Sequence, residues 1–393
     1  MEFTNMNTIQ MINKINKHED DIVNTNMQLA DITTNVKTYG AKGNAYYYNS
    51  PNGKYYEDAG LTIQSSNDTI AIQNAIDYVA SLGGGAVLIP RGTYLVDTIK
   101  LKSNVKLYGV GKASVLQQSW SATDHFITLS DYNQIHCKIE GLRVIGCRSR
   151  IIAYDLIHID NNDVFLSGEV DHYHIIRDCT IESTDGNGIR MTRSRGLTVD
   201  NCWVRKCNKD GISINSSDNI IINCNVSLCA NGYSTTDGAS ALRISNCKAF
   251  FNNIGFYFAT PITPNYTQNV TLTGCETQSN ALHGYYLENC LNCSFLGLIA
   301  DADSRTNTTG IGFYIKNCEH IKLTGVFREK DSLYGVAPDN GRLAGAIKFE
   351  GTNKCVNVDI TYDSQRASSK ATKFISTDLY SDTTSYVKVN GEE

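Results

Sequence analysis

Five cysteines, Cys179, Cys202, Cys224, Cys247 and Cys275, fall 23, 22, 23 and 28 residues apart, and the sequence around them repeats with the same period. GIRMTRSRGLTVDNCWVRKC (188–207), GISINSSDNIIINCNVSLC (211–229) and GFYIKNCEHIKLTGV (312–326) each open with Gly and an alternating strand. A tight polar turn follows, then a second alternating strand. A period of 20–30 residues with Gly and Asn at the corners is the signature of a solenoid. Because the repeats contain strands and no helix, they predict an all-β, single-stranded, right-handed parallel β-helix. Each coil then adds one strand to each of several parallel sheets, with rungs about 4.8 Å apart.

A second cysteine ladder, Cys147, Cys207 and Cys229, sits five residues after an equivalent strand position, and Asn252 and Asn280 take that place in later coils. Small and tolerant of burial, cysteine suits stacking inside a coil. The closest pair, Cys290 and Cys293, lacks the second pair that a zinc site requires, so no metal and no cofactor is expected. The 13 cysteines are spread over 393 residues, unlike a dense disulfide scaffold, and the polar N-terminus has no apolar signal-peptide core. The chain is therefore expected to be made in a reducing cytoplasm with free thiols. A net charge of −5 without a strong basic run argues against nucleic acid, and no apolar run of 18 residues predicts a membrane helix.

Outside the repeats, Ile15, Ile22, Leu29 and Val36 recur every seven residues, with Met11 and Ile32 at the second core position. His18 and Thr25 are polar there. This pattern predicts a short, imperfect coiled coil, against the alternative of one amphipathic helix folded back on the body, and it makes a homotrimer plausible. The expected organisation is a helical arm (1–36), an entry and capping module (37–96), the β-helix (97–375) and a C-terminal tail (376–393).

Before the coils lies SSNDTIAIQNAIDYVASLGGGAVLIPRGTYLV (65–96), in which Asn67 or Asp68 caps a helix with Ile72, Ile76 and Val79 on its apolar face. With KTYGAKGN (37–44), this segment resembles the entry module of the pectate-lyase-like β-helix superfamily, in the version found in bacteriophage tailspikes and polysaccharide depolymerases. The resemblance implies a helix that closes the open end of the solenoid. It also implies a bacterial surface polysaccharide as partner, a place in the virion tail, and attachment to a tail or baseplate through the arm. The chain departs from the family at NAYYYNSPNGKYYEDAGLTIQ, an insertion in place of an acidic glycine loop. The fold itself hosts lyases, hydrolases, epimerases and pure binders.

Aligning the coils on their opening Gly points the first and third following residues inward: Ile189 and Met191, Ile212 and Ile214, Phe256 and Phe258, Tyr285 and Leu287, Phe313 and Ile315. The residue between points out, giving His158, Arg190, Ser213, Tyr257, Tyr286 and Tyr314. Three stacked tyrosines make an aromatic strip suited to sugar C–H faces. Cross-strand self-stacking is the plain alternative. Asp160 and Glu288 lie two residues further on the same face; with His158 and Arg190 they suit an anionic glycan.

In the turn before the opening strand, Asp185 and Asp210 match the Asp-Gly pattern where polygalacturonase-like members carry catalytic carboxylates. A water-admitting separation of roughly 6–9 Å would serve inverting hydrolysis. Ordinary turn chemistry also explains each Asp. The expectation is a glycoside hydrolase using Asp185 and Asp210, with Glu288 as the alternative acid and Tyr257, Tyr286, Tyr314, Arg190, His158 and Asp160 binding substrate. A lyase, and a non-catalytic receptor-binding or structural virion protein, are the rivals.

Overall fold

The structure, a computed structural model, describes residues 33–50, 53–148, 152–161, 172–236, 238–260, 266–301, 303, 310–328, 345–363 and 386–391. Among these residues the chain is a parallel β-helix. Ten strands form one face: β1 (Ile99–Leu101), β2 (Ile127–Leu129), β3 (Ile157–Asp160), β4 (Ile189–Arg195), β5 (Ile212–Ser217), β6 (Asn231–Thr235), β7 (Ile254–Ala259), β8 (His283–Glu288), β9 (Ile311–Lys316) and β10 (Gly345–Glu350). Each is bonded in parallel to the next, in chain order. Apart from a two-stranded hairpin, the other strands wrap round the core as a second sheet of 22 strands, typically two per coil. β4, for example, is followed by Thr198–Asp200 and Trp203–Cys207 before β5 begins.

The predicted inward residues form the core: Ile189, Met191, Ile212, Ile214, Phe256, Phe258, Tyr285, Leu287, Phe313 and Ile315 are all fully buried. Tyr233, Phe256, Tyr285 and Phe313 stack down the interior, with centroids 4.6–5.1 Å apart and planes within 9°. Burying a phenol requires a partner for its hydroxyl, and Tyr285 donates to the Cys275 carbonyl at 2.8 Å. The twelve described cysteines are free and buried. In the main ladder the Cys202 amide lies 3.4 Å from Cys224 Sγ, and the Cys224 amide 3.5 Å from Cys247 Sγ.

Close approach explains the opening glycines. A Cβ on Gly211 would lie 2.1 Å from Val226 Cγ1 and 2.9 Å from the Gly232 carbonyl; on Gly255 it would lie 2.6 Å from the Gly284 carbonyl. The corner asparagines have a conformational reason instead. Asn201, Asn223 and Asn246 stack there with φ near +50°, which Asn tolerates better than most residues.

Helix α1 (Thr69–Ser81) buries Ile72, Ala75, Ile76 and Val79 over the first coil. Asn67 Oδ1 accepts from the Thr69 amide, whereas the Asp68 carboxylate turns away and accepts from the Lys42 and Gly43 amides, pinning the entry segment to the cap. The inserted segment forms an antiparallel hairpin, Tyr47–Asn49 with Lys54–Tyr56. Most of the expected heptad arm lies outside the described residues. Its last core position, Val36, does not continue a coiled coil: it is fully buried in a 3₁₀ turn, Val36–Tyr39, that follows a strand at Thr34–Asn35. Tyr386–Gly391, in the segment expected as a tail, pairs in register with Asn357–Tyr362 as a further rung.

Candidate active site

Strand register sorts the outward residues of the ten-stranded face into columns. One column runs Thr128, His158, Arg190, Ser213, Ser234, Tyr257, Tyr286, Tyr314 and Lys348. Between Arg190 and Tyr257 the column carries two small, buried side chains, Ser213 and Ser234. Three rungs separate Arg190 from Tyr257, about 14 Å at the usual spacing.

The register also sets the corner before the opening strands. Because Ile127, Ile157, Ile189, Ile212 and Tyr233 align, so do His125, Asp155, Asn187, Asp210 and Asn231. This column is hydrogen-bonded along its length. Asp155 Oδ1 accepts from the Asn187 amide and side chain, both at 2.8 Å. The Asp210 amide donates to Asn187 Oδ1 at 3.0 Å, and Asn231 donates to Asp210 Oδ1 at 2.8 Å. Asp210 Oδ2 accepts from the buried Ser234 hydroxyl.

At its upstream end this corner gathers His125, Asp155, His158 and Arg190. Asp155 is 2% exposed, and its Oδ2 is buried without a hydrogen-bond partner. That oxygen lies 3.4 Å from His125 Nδ1, 3.8 Å from His158 Nδ1 and 3.9 Å from Arg190 Nη1. The two imidazoles pack edge to face, 4.2 Å apart. His158 Nε2 lies 3.3 Å from Thr192 Oγ1. Burial first, and the charge of His125 second, push the His158 imidazole down to about 4, so it is a neutral base at physiological pH. His125, Asp155 and His158 offer three atoms within metal-binding reach of one another. The arrangement nevertheless suits a cation poorly. His125 Nδ1 already accepts from the Asp155 amide at 2.9 Å, and the Arg190 guanidinium competes for the same carboxylate. It suits proton handling beside a positive charge.

Other expected site residues are differently engaged. Asp185 stands two residues before the Asn187 position, in register with Asn208 and out of the Asp155–Asp210 column, and it accepts from the Asn208 amide group. Glu288 accepts from Tyr286 at 2.9 Å and pairs with Lys316 at 3.0 Å, so neither oxygen is free to act as an acid. Asp160 is clamped by Arg193 through two bonds of 3.0 and 2.8 Å. The tyrosines do not form a strip of open faces. Tyr286 and Tyr314 are stacked at 4.6 Å, Tyr257 and Tyr286 meet at 5.2 Å, Tyr314 is 8% exposed, and Lys348 covers its ring. Self-stacking consumes their faces. Only Tyr257 has a small neighbour, Ser234, on its upstream side, so its upstream face meets no second ring.

Sequence reading missed His125 and Asp155 because their coils, DHFITL and YDLIHID, lack the opening Gly used for alignment. The alternation of Ile127 with Leu129, and of Ile157 with Ile159, was the available signal. Ser234 was missed for a related reason: the short coil NGYST was not set in the series.

A family model described as Rhamnogalacturonase A/epimerase, pectate lyase-like matches residues 57–257, just over half of the chain. No curated protein is close enough in sequence to count as a match. Among solved structures, full-length tailspike protein 2 of an Escherichia coli O157:H7 bacteriophage aligns with a TM-score of 0.68 and 18% identity, over 91% of this chain and 46% of that one. The N-terminal fragment of bacteriophage phi29 gene product 12 aligns at 0.61 and 18%, over 88% and 62%. The A-module of an Azotobacter vinelandii mannuronan C-5 epimerase aligns at 0.56 and 13%, over 91% and 99%. These likenesses establish a shared fold. The chain spans about half the length of the tailspike structures it matches.

Proposed function

The chain belongs to the rhamnogalacturonase A/epimerase, pectate lyase-like family, and from that membership we propose that it binds a bacterial surface polysaccharide across its ten-stranded face and cleaves it as a phage tail depolymerase. The likeness to a phage tailspike supports the setting. In this reading the chain works as a homotrimer, assembled and attached to the tail through residues 1–36.

One observation carries the chemistry: a neutral His158, backed by the buried Asp155 carboxylate, stands beside the partly exposed Arg190 guanidinium on the outward side of the ten-stranded face. That set favours β-elimination on a uronate. Arg190 offsets the substrate carboxylate, which acidifies the adjacent C–H. His158 then removes that proton, the C–H electron pair forms the double bond, and the glycosidic C–O bond breaks with its oxygen taking a proton from water. A positioned base contributes about 10²–10⁴ in rate. Glycoside hydrolysis is the second reading, favoured by Asp210, which lies in the same corner column as Asp155 and accepts from Ser234. There Asp185 or Asp155 would be the second carboxylate.

Incubation with capsular and wall polysaccharides tests both readings. Elimination yields new reducing ends together with the ultraviolet absorbance of an unsaturated uronate. Reducing ends alone would replace elimination by hydrolysis. Saturable binding with neither signal would leave a receptor-binding protein and remove the catalytic claim.

A further inference from the structure

The corner column continues toward the cap. Ile99 pairs with Ile127, which places Asp97 in line with His125 and Asp155, two rungs or about 10 Å from the latter. Here the inserted hairpin folds over the coil. It borders an open cleft of ≈ 630 Å³ lined by Tyr48, Tyr55, Trp120 and Arg148, among others, and a second of ≈ 420 Å³ that shares Gly53, Tyr55 and Trp120 with it. Both lie in the size range of small-ligand sites.

The lining is chemically mixed. Trp120 is 39% exposed and Tyr48 43% exposed. Gly53 lies against the indole: a Cβ built there would meet its ring at 3.7 Å. The second cleft is walled by Ser65, Asn67, Ser119 and Ser121. Asp97 holds three of these, accepting from Asn67 at 2.9 Å, from Ser121 at 2.9 Å, and from Ser119. Ser65 is 5% exposed and its hydroxyl has no hydrogen-bond partner, so a buried polar atom beside Trp120 awaits one. Asp185 acts at this place. It holds Asn208, and Asn208 accepts from Arg148 on the rim of the larger cleft.

Tyr48 and Tyr55 pack on each other at 4.9 Å, so the exposed indole of Trp120 is the flat face on offer; with hydroxyls, an amide and one guanidinium around it, it fits a sugar whose C–H face packs on the ring while its hydroxyls exchange hydrogen bonds with the walls. We propose that the two clefts flanking Trp120 form a glycan-holding site built by the hairpin, which seats sugars of the chain whose downstream part crosses the His158–Arg190 corner. The proposal rests on the polysaccharide reading above for the identity of the ligand, but its test does not depend on cleavage.

The chain has two tryptophans, and Trp203 sits between the cations of Lys112 and Arg205, away from the clefts. In a Trp203→Phe protein, emission therefore reports Trp120 alone. Short oligosaccharides prepared from bacterial capsular and wall polysaccharides are titrated into it. A saturable shift and quench with the glycan that the protein binds or cleaves is expected. Trp120→Ala raises KM for the long polysaccharide about tenfold and leaves kcat unchanged, the loss of roughly one stacking contact. Trp120→Phe, which keeps a ring, restores most of it and guards against a folding defect. Emission that stays flat with a glycan the protein binds or cleaves overturns the proposal. If nothing is cleaved, the titration still decides: a saturable response upholds the cleft while the depolymerase reading falls, and a flat response across the whole panel overturns the cleft.

Discussion

Tyr286 and Tyr314 lie face to face, their ring centroids 4.6 Å apart and their planes within 6° of parallel. An aromatic ring clamped in this way spends its faces on its neighbours and leaves mainly edges for a ligand. The stack is therefore a stability device, and in the proposed binding mode Tyr257, at its upstream end, is the ring that would meet sugar.

Tyr286→Ala should accordingly destabilise the protein by about 1–2 kcal/mol, through the lost stack and the hydrogen bond to Glu288. Its effect on glycan affinity should be small. Tyr257→Ala should show the opposite balance, with affinity falling by on the order of 1 kcal/mol. Thermal melts and glycan titrations of the two variants, side by side, check this. Equal losses of affinity would restore the picture of a continuous binding strip.

Replacing inner rings is costlier. Tyr285→Ala removes a fully buried side chain from the interior stack and should cost roughly 3–5 kcal/mol, measured by denaturant unfolding.

His158→Gln should lower cleavage by about a hundredfold or more while oligosaccharide binding persists. Because burial holds the imidazole near 4, the free enzyme's base stays deprotonated through pH 5. The acid limb of kcat/KM should then fall near pH 4 and not near the ordinary histidine value of about 6.5. A limb centred on 6.5 would assign the base elsewhere.

Two sets of buried groups give stability opposite pH slopes. His158, His174 and His283 are lowered by burial to about 4, 3 and 4. The folded state disfavours their protonation, so their contribution is complete above about pH 6.5 and is lost as pH falls toward 4. Asp303 is raised by burial to about 7, despite accepting from Thr277 and Asn280. Its contribution is complete below about pH 4 and is lost as pH rises through 7. Asp303→Asn should therefore stabilise the protein at pH 8 by more than about 1 kcal/mol, with the gain shrinking toward pH 4. Chemical denaturation at both pH values reads the difference. A pH-independent effect would show that Asp303 is ionised when buried.

The sequence was most informative where geometry repeats. Phe256, Tyr285 and Phe313 were assigned to the interior from alternation alone, because a slip of one residue would turn every core side chain to water. The chemistry was harder to read. Asp185 and Asp210 look alike in sequence, yet register places Asp210 beside Ser234 and sets Asp185 under Arg148, by way of Asn208. Asp155 lies only three residues from His158, but His125 and Arg190 come from coils more than 30 residues away in the chain, where no local motif marks them. The exposure of Tyr314 was misjudged because strand alternation tells which way a ring points and not what lies against it.

The stacked register makes the molecule a ruler. Each coil bonds only to the one above and the one below, so an entire coil can be gained or lost without disturbing the pattern of either neighbour. Ser213 and Ser234, one per coil, set the gap between Arg190 and Tyr257. Duplicating the coil that carries Ser213 would widen that gap by one graduation, about 4.8 Å, close to the advance of one sugar along an extended chain. Under the proposed function, descendants of this scaffold could thus change the length of glycan they grip in whole units, while the proposed catalytic corner stays as it is.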